Sequence, residues 1–240
     1  VSYSESRTAR LADDRLRGVI LKKDSPSCGM ERVKLYDHNN VPAKTERGLF
    51  AEQLLRRFPN LPVEEEGRLN DKPLRENFIG RVYTYHRWRT MLEEGATPGR
   101  LVDFHSRHKL LLMAHDPATY YEMGPLVARA GELPLDELAD TYERKLMGAL
   151  AKPAPPKRHV NTLQHILGFL KDSLGSEDKA EILGVIQEYR DGIVPLVAPL
   201  TLLKFHLRRL DSDLIKDQFY LDPYPRELAL LFFLIIRRPP

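Results

Sequence analysis

Gly18-Val19-Ile20-Leu21-Lys22-Lys23-Asp24-Ser25-Pro26-Ser27-Cys28-Gly29 is the stretch from which the fold can be read. Its apolar opening has the length and make-up of a short buried strand. The strand runs into a Ser/Pro/Ser turn, and the single cysteine of the chain stands at the turn's exit beside a glycine. Strand ends of α/β folds are where ligands are usually held. A lone thiol forms no internal disulfide, and by itself it cannot fill a tetrahedral zinc or iron–sulfur site.

Working outward, Arg10, Leu11, Asp14 and Arg15 suit the end of an amphipathic helix. Val33 and Leu35 mark an extended segment over residues 30–40, closed by the turn pair Asn39-Asn40. Leu49, Phe50, Leu54, Leu55 and Phe58 recur at helical spacing, so Gly48–Phe58 reads as a helix that Pro59 stops. Leu61-Pro62-Val63 reads as a short edge strand. Leu74–Glu94 is expected to be a connecting helix burying Phe78, Ile79, Val82, Tyr85 and Met91, and the Gly95–Gly99 breaker cluster follows it. The remainder is helical: Arg100–Ala114, Tyr120–Ala130, Leu135–Leu150, Arg158–Leu174, a helix from Ser176 as N-cap to Tyr189, and Val194–Arg209. Lys152–Lys157 is a stiff, basic, proline-rich connection.

The expected class is therefore α+β, a small partial α/β domain followed by an all-α domain. The expected divisions are 1–75, a connecting helix and linker over 76–99, the helical domain over 100–230, and a tail over 231–240. With 42% hydrophobic and 30% charged residues, the composition is that of an ordinary soluble protein. One cysteine in 240 residues argues against a disulfide-built secreted fold and fits a reducing cytoplasm. No apolar run reaches the roughly 20 residues a membrane span needs. The formal net charge is +3, and only +1 without Arg237 and Arg238, so overall charge says little about an anionic partner.

Several constellations could carry chemistry. Ser25 and Ser27 either orient a substrate or an activated water, or simply form the turn. Glu64-Glu65-Glu66 is either a solvated, mutually repelling run or a source of acid–base carboxylates. His105 and His108 share a helix face at a spacing of three. Arg107 and Lys109 beside them repel a cation, which favours RNA contact or a polar place in the core over a metal site. Asn161 and His165, four apart, are surrounded by Lys152, Lys157, Arg158 and Lys171. That is the best local basic patch with hydrogen-bonding groups interleaved; the alternative is a solvated helix with interior caps. The aromatic segment Gln218–Pro225 is expected to dock over the bundle.

The segment Gly18–Lys22, Ser25–Val33 resembles the Ser-Pro-Ser-Cys-Gly region of the TudS-like thiouracil desulfidases. The likeness continues through Gly48-Leu49-Phe50-Ala51 and Leu61–Asp71. From about residue 100 the chain resembles the YbgA-like helical domain. The matching residues include Asp103–Lys109, Ala114–Pro117, His159-Val160-Asn161, Gln164-His165, Tyr189–Gly192 and Gln218–Pro225. The two domains in this order are similar to the RudS family, which removes sulfur from 4-thiouridine in tRNA. The resemblance implies a 4Fe-4S cluster held by three cysteines, Cys28 being the last, with one iron open to a thiocarbonyl sulfur. It makes Ser25, Ser27 and Glu66 catalytic candidates and tRNA the partner. His105, Arg107, His108, Lys109, Lys157, Arg158, Asn161, His165 and Arg190 are then the expected RNA contacts. The family's other two cluster cysteines precede this segment, so the chain is expected to be an N-terminally truncated fragment, inactive alone. Leu231–Pro240 resembles translated sequencing-adapter read-through and is expected to be dispensable. Two rival functions are a desulfidase acting on free thiolated bases and a non-catalytic nucleic-acid-binding module.

Overall fold

A computed structural model describes residues 2–11, 14–31, 33–36, 42–209, 213–225 and 227–228. The tail expected to be dispensable lies outside the described residues. Two compact units divide the chain, Val1–Thr90 and Met91–Pro240. The class is α+β, as the patterning implies.

In the first unit, helix α1 spans Ser2–Arg10 and strand β1 Val19–Leu21. Strands β2 (Val33–Tyr36) and β3 (Pro42–Glu46) pair antiparallel, with an irregularity between Leu35 and Tyr36. Strand β3 had no clear sequence signal, because Pro42, Lys44 and Glu46 all carry low strand preference. Helix α2 (Leu49–Arg57) follows and packs on α1. The chain then returns as β4, Val63–Glu65. It pairs parallel with β1, in the register Val19↔Val63, Ile20↔Glu64, Leu21↔Glu65. Parallel pairing requires a long crossover, which β2, β3 and α2 supply. Leu21 is buried, but Ile20 is 56% exposed, since neighbouring strand residues point to opposite faces. Helix α3 (Lys72–Glu93) buries Phe78, Thr84, Tyr85 and Trp88.

The second unit is built from helices α4 (Pro98–His115), α5 (Pro117–Ala128), α6 (Leu135–Leu150), α7 (Pro156–Phe169), α8 (Ser176–Arg190), α9 (Val197–Leu207) and α10 (Asp213–Lys216). Helix starts follow the local chemistry. Thr97 and Asp116 cap α4 and α5 with their side-chain oxygens, and Pro98, Pro117 and Pro156 open their helices. The N-cap of α8 is Gly175, with Ser176 the first helical residue, one position from the expected cap. Leu138, Tyr142, Leu146 and Leu150, each four residues apart, are at most 2% exposed and form the buried stripe of α6. No described helix is long and apolar enough to cross a membrane.

Candidate functional site

The Cys28 loop in the first unit leaves the C-terminal end of β1, and its shape is set by its own backbone. Asp24 adopts φ 54°, a left-handed turn that an aspartate tolerates. The Gly29 N–H donates to the Ser25 carbonyl at 2.8 Å. The Cys28 N–H donates to Ser25 Oγ at 3.3 Å, and Ser27 Oγ lies 3.3 Å from both Ser25 Oγ and Cys28 Sγ. The two serines therefore do form the turn, and Ser27 also touches the thiol. Cys28 itself is half-buried and free.

Two outside elements fix the loop. The Ser27 carbonyl accepts the Phe50 and Ala51 N–H groups at 2.9 and 3.1 Å. Helix α2 has no side-chain cap, so this carbonyl satisfies two of its otherwise unpartnered donors. Gly48 donates its N–H to the Gly29 carbonyl at 2.8 Å, and the loop backbone passes directly over it. A Cβ at Gly48 would lie 2.4 Å from Ser27 C and O, and one at Gly29 would lie 2.5 Å from Val33 Cγ2.

The second anchor is a carboxylate. Glu65 Oε1 accepts the Met30 N–H at 2.6 Å, tying β4 to the loop two residues past the cysteine. Glu64 and Glu65 are only 6% and 8% exposed, so the acidic run is not the solvated face considered above. Glu64 accepts Arg68 Nε at 2.7 Å and its neighbour's N–H at 3.0 Å. It also opposes the effect of burial, which lowers the Arg81 guanidinium below its ordinary value. Glu66 is exposed and donates its N–H to the Leu21 carbonyl. The carboxylate that reaches the Cys28 loop is thus Glu65, while the catalytic candidate Glu66 lies exposed. The burial of all of β4 was hidden in sequence, because three consecutive glutamates read as surface.

The donor set can be weighed against an iron–sulfur cluster. Cys28 is the sole cysteine, and among the described residues no group of three His, Cys, Asp or Glu side chains converges. A 4Fe-4S cluster takes several thiolates; this chain has at most one to offer, too few to complete such a cluster.

In the second unit the expected RNA contacts separate. His108 is fully buried. Its Nδ1 lies 2.7 Å from the Phe104 carbonyl, and its ring stacks on Phe104 and meets Phe219. It belongs to the core and is withdrawn as an RNA contact. Arg107 lays its guanidinium over the Phe219 ring at 4.8 Å, with its Nε buried and without a hydrogen-bond partner. Arg158 lies in the first turn of α7, where its guanidinium donates to the His115 carbonyl at the end of α4. It is a helix-joining side chain, not the free linker cation expected. Lys157, Asn161, His165 and Arg190 are exposed. His105, Lys109 and His165 come together: the charge of Lys109 reaches both imidazoles, which burial chiefly holds below the usual histidine range.

The aromatic tail docks on the bundle as expected, and two of its side chains make the anchoring hydrogen bonds. Gln218 is 5% exposed, its Oε1 accepting the Leu110 N–H at 3.1 Å and its Nε2 donating to the Ser106 carbonyl at 2.7 Å. The Tyr220 hydroxyl lies 2.8 Å from His159 Nδ1. Burial, with His115 adding to it, holds His159 at about 4 against an ordinary 6.5. Between these values the unfolded chain binds a proton that the folded chain does not, so stability rises with pH there. It is complete above pH 6.5 and lost as pH falls toward 4. The full shift corresponds to roughly 3 kcal/mol at about 1.4 kcal/mol per unit, less what water screens around the half-buried ring. Urea melts between pH 7 and 4.5 should show this slope, and His159→Gln should flatten it; an equal slope in that variant would remove His159 as the cause.

Comparison with known proteins agrees with this two-part build. Residues 109–225 match the family model described as "Protein of unknown function (DUF1722)", and residues 1–66 match that of 2-thiouracil desulfurase. The chain thus joins a segment that matches the desulfurase family model to a helical domain. The chain is similar to the Escherichia coli (strain K12) protein described as "Uncharacterized protein YbgA". The two are 32% identical over 151 residues, 62% of this chain and 89% of that protein. The chain belongs to the YbgA family. No solved structure matches it.

Proposed function

We propose that this protein removes sulfur from 4-thiouridine in tRNA, with Cys28 serving as one thiolate ligand of a 4Fe-4S cluster and the helical unit positioning the RNA. The desulfurase-like match over residues 1–66 indicates a sulfur-removal role. The observation that carries the reading is the Cys28 loop, held at a strand end by Ser25, Glu65 and the start of α2 with its thiol half-buried. The remaining cluster thiolates would come from cysteines outside this chain. Ser27, in contact with the thiol, would orient a group there, and the exposed Lys157, Asn161, His165 and Arg190 would meet the tRNA.

A second reading, desulfuration of a free thiolated base, is favoured by the matched family's own description. Sulfide release by the product of the complete gene, from 4-thiouridine tRNA and from 2-thiouracil, separates the two. Faster release from tRNA is expected, and turnover of the free base alone would establish the second reading. Cys28→Ser should abolish release, and full activity in it would remove Cys28 from the chemistry. The chain as it stands, reconstituted anaerobically with iron and sulfide, should bind well under the roughly four irons of such a cluster.

A further inference from the structure

The second unit holds a cleft of about 240 Å³ between α4, α5, the end of α7 and the docked tail. Its walls include His105, Lys109, Tyr120, Phe169 and Gln218. We propose that this cleft holds one unpaired nucleotide, its base against the Tyr120 and Phe169 rings and its phosphate on Lys109. The proposal rests on the RNA-directed reading and names the place where the RNA would be gripped.

Three observations carry it. The walls are aromatic where a flat ring would lie. Tyr120 and His105 are nearly parallel at 9° with centroids 6.2 Å apart, and Phe169 is 43% exposed at the rim. Tyr121, 72% exposed, leans on Tyr120 at 5.2 Å and extends the aromatic surface beyond the cleft. Single exposed rings are ordinary, but these border one lysine-bearing cleft.

The charge also fits. Among the described residues no carboxylate lines the cleft. An ammonium beside aromatic faces rejects a cationic ligand and accepts a phosphate. Proteins that grip single strands stack bases on aromatic side chains and meet the backbone with cations. His105 is anchored through Nδ1, 3.2 Å from the Tyr142 hydroxyl, which leaves Nε2 to meet the polar edge of a base.

Size sets the limit. Sites for drug-sized ligands run from roughly 300 to 1,000 Å³, so 240 Å³ suits one ring system and excludes a stacked dinucleotide. Gln218, pinned to α4 by two hydrogen bonds, makes one wall rigid.

The test uses the full chain with two probes, a fluorescein-labelled single-stranded oligouridylate and uridine 5′-monophosphate. Phe169→Ala should weaken oligonucleotide binding about 5- to 150-fold, the range for one lost base stack. Lys109→Gln should weaken both probes and reduce the salt slope by about one. Circular dichroism melts serve as the folding control. Wild-type affinity for both probes in both folded variants would overturn the cleft while leaving tRNA binding elsewhere intact. Binding of the monophosphate alone, lost in Lys109→Gln, would uphold the cleft and defeat the tRNA reading. Failure of wild type to bind either probe would overturn the proposal. Should a variant not fold, 5-iodouridine cross-linking to wild type decides: adducts on α5 or the end of α7 uphold the cleft, and adducts only elsewhere overturn it.

Discussion

Gly48→Ala should unfold or severely loosen the first unit. The added methyl would sit 2.4 Å from the Ser27 carbonyl group and 2.7 Å from the Cys28 nitrogen. All three atoms are backbone, so no side-chain rotation relieves the clash. Moving that backbone also breaks the two hydrogen bonds by which Ser27 satisfies the start of α2. Overpacking costs typically 1–3 kcal/mol, and each lost hydrogen bond adds about 1 kcal/mol. A loss of about 3 kcal/mol or more is expected, lowering the melting temperature of a unit this size by roughly 10–20 °C. Gly80→Ala is the control. It lies inside α3 with nothing within 4 Å of the new methyl, so it should be neutral or stabilising by under about 1 kcal/mol. Calorimetry on both variants decides it. A Gly48→Ala protein that melts like wild type would mean that the Cys28 loop and α2 are not locked together as described.

Gln218→Glu should be the most damaging single change in the tail. The amide nitrogen that donates to Ser106 becomes a carboxylate oxygen facing a carbonyl oxygen across 2.7 Å, at a site 5% exposed. A buried charge without a partner costs about 3 kcal/mol or more, or roughly 6–12 °C in a unit of this size. Gln218→Met should cost far less, because Ser106 and Leu110 stand four apart inside α4, where the i→i−4 helix bond can satisfy both groups without the amide. Relative to wild type, Gln218→Glu should recover as pH falls and its carboxyl becomes a neutral donor. Melts of the three proteins at pH 7 and pH 5 test this. Equal stability of the Glu and Met variants at pH 7 would show that the pairing of the Gln218 amide with the α4 backbone is not selective.

Much of this molecule is determined locally and can be read in its order of residues. The helical stripe of α6, the breaks at Asp116-Pro117 and at the prolines before α7, and the turn built by Ser25 and Ser27 depend on near neighbours only. Periodicity and hydrogen bonds between adjacent residues encode them directly. The placement of Cys28 at a strand end was legible for the same reason.

What only the tertiary structure decided depends on residues far apart in the chain. Glu64-Glu65-Glu66 looks like a solvated run until β4 pairs with β1. Burial then turns Glu65 toward the Met30 N–H, 35 positions away. His105, Arg107, His108 and Lys109 form one short polar string in sequence. The helix sends His108 into the core against Phe104 and Phe219, commits Arg107 to the tail, and leaves His105 and Lys109 facing a cleft. Arg158 resembles Lys157 as a residue type, but one reaches the end of α4 and the other reaches solvent. Charge and residue type are properties of a position in the chain. Burial and partnership come from the elements that pack against it, and no local pattern carries that information.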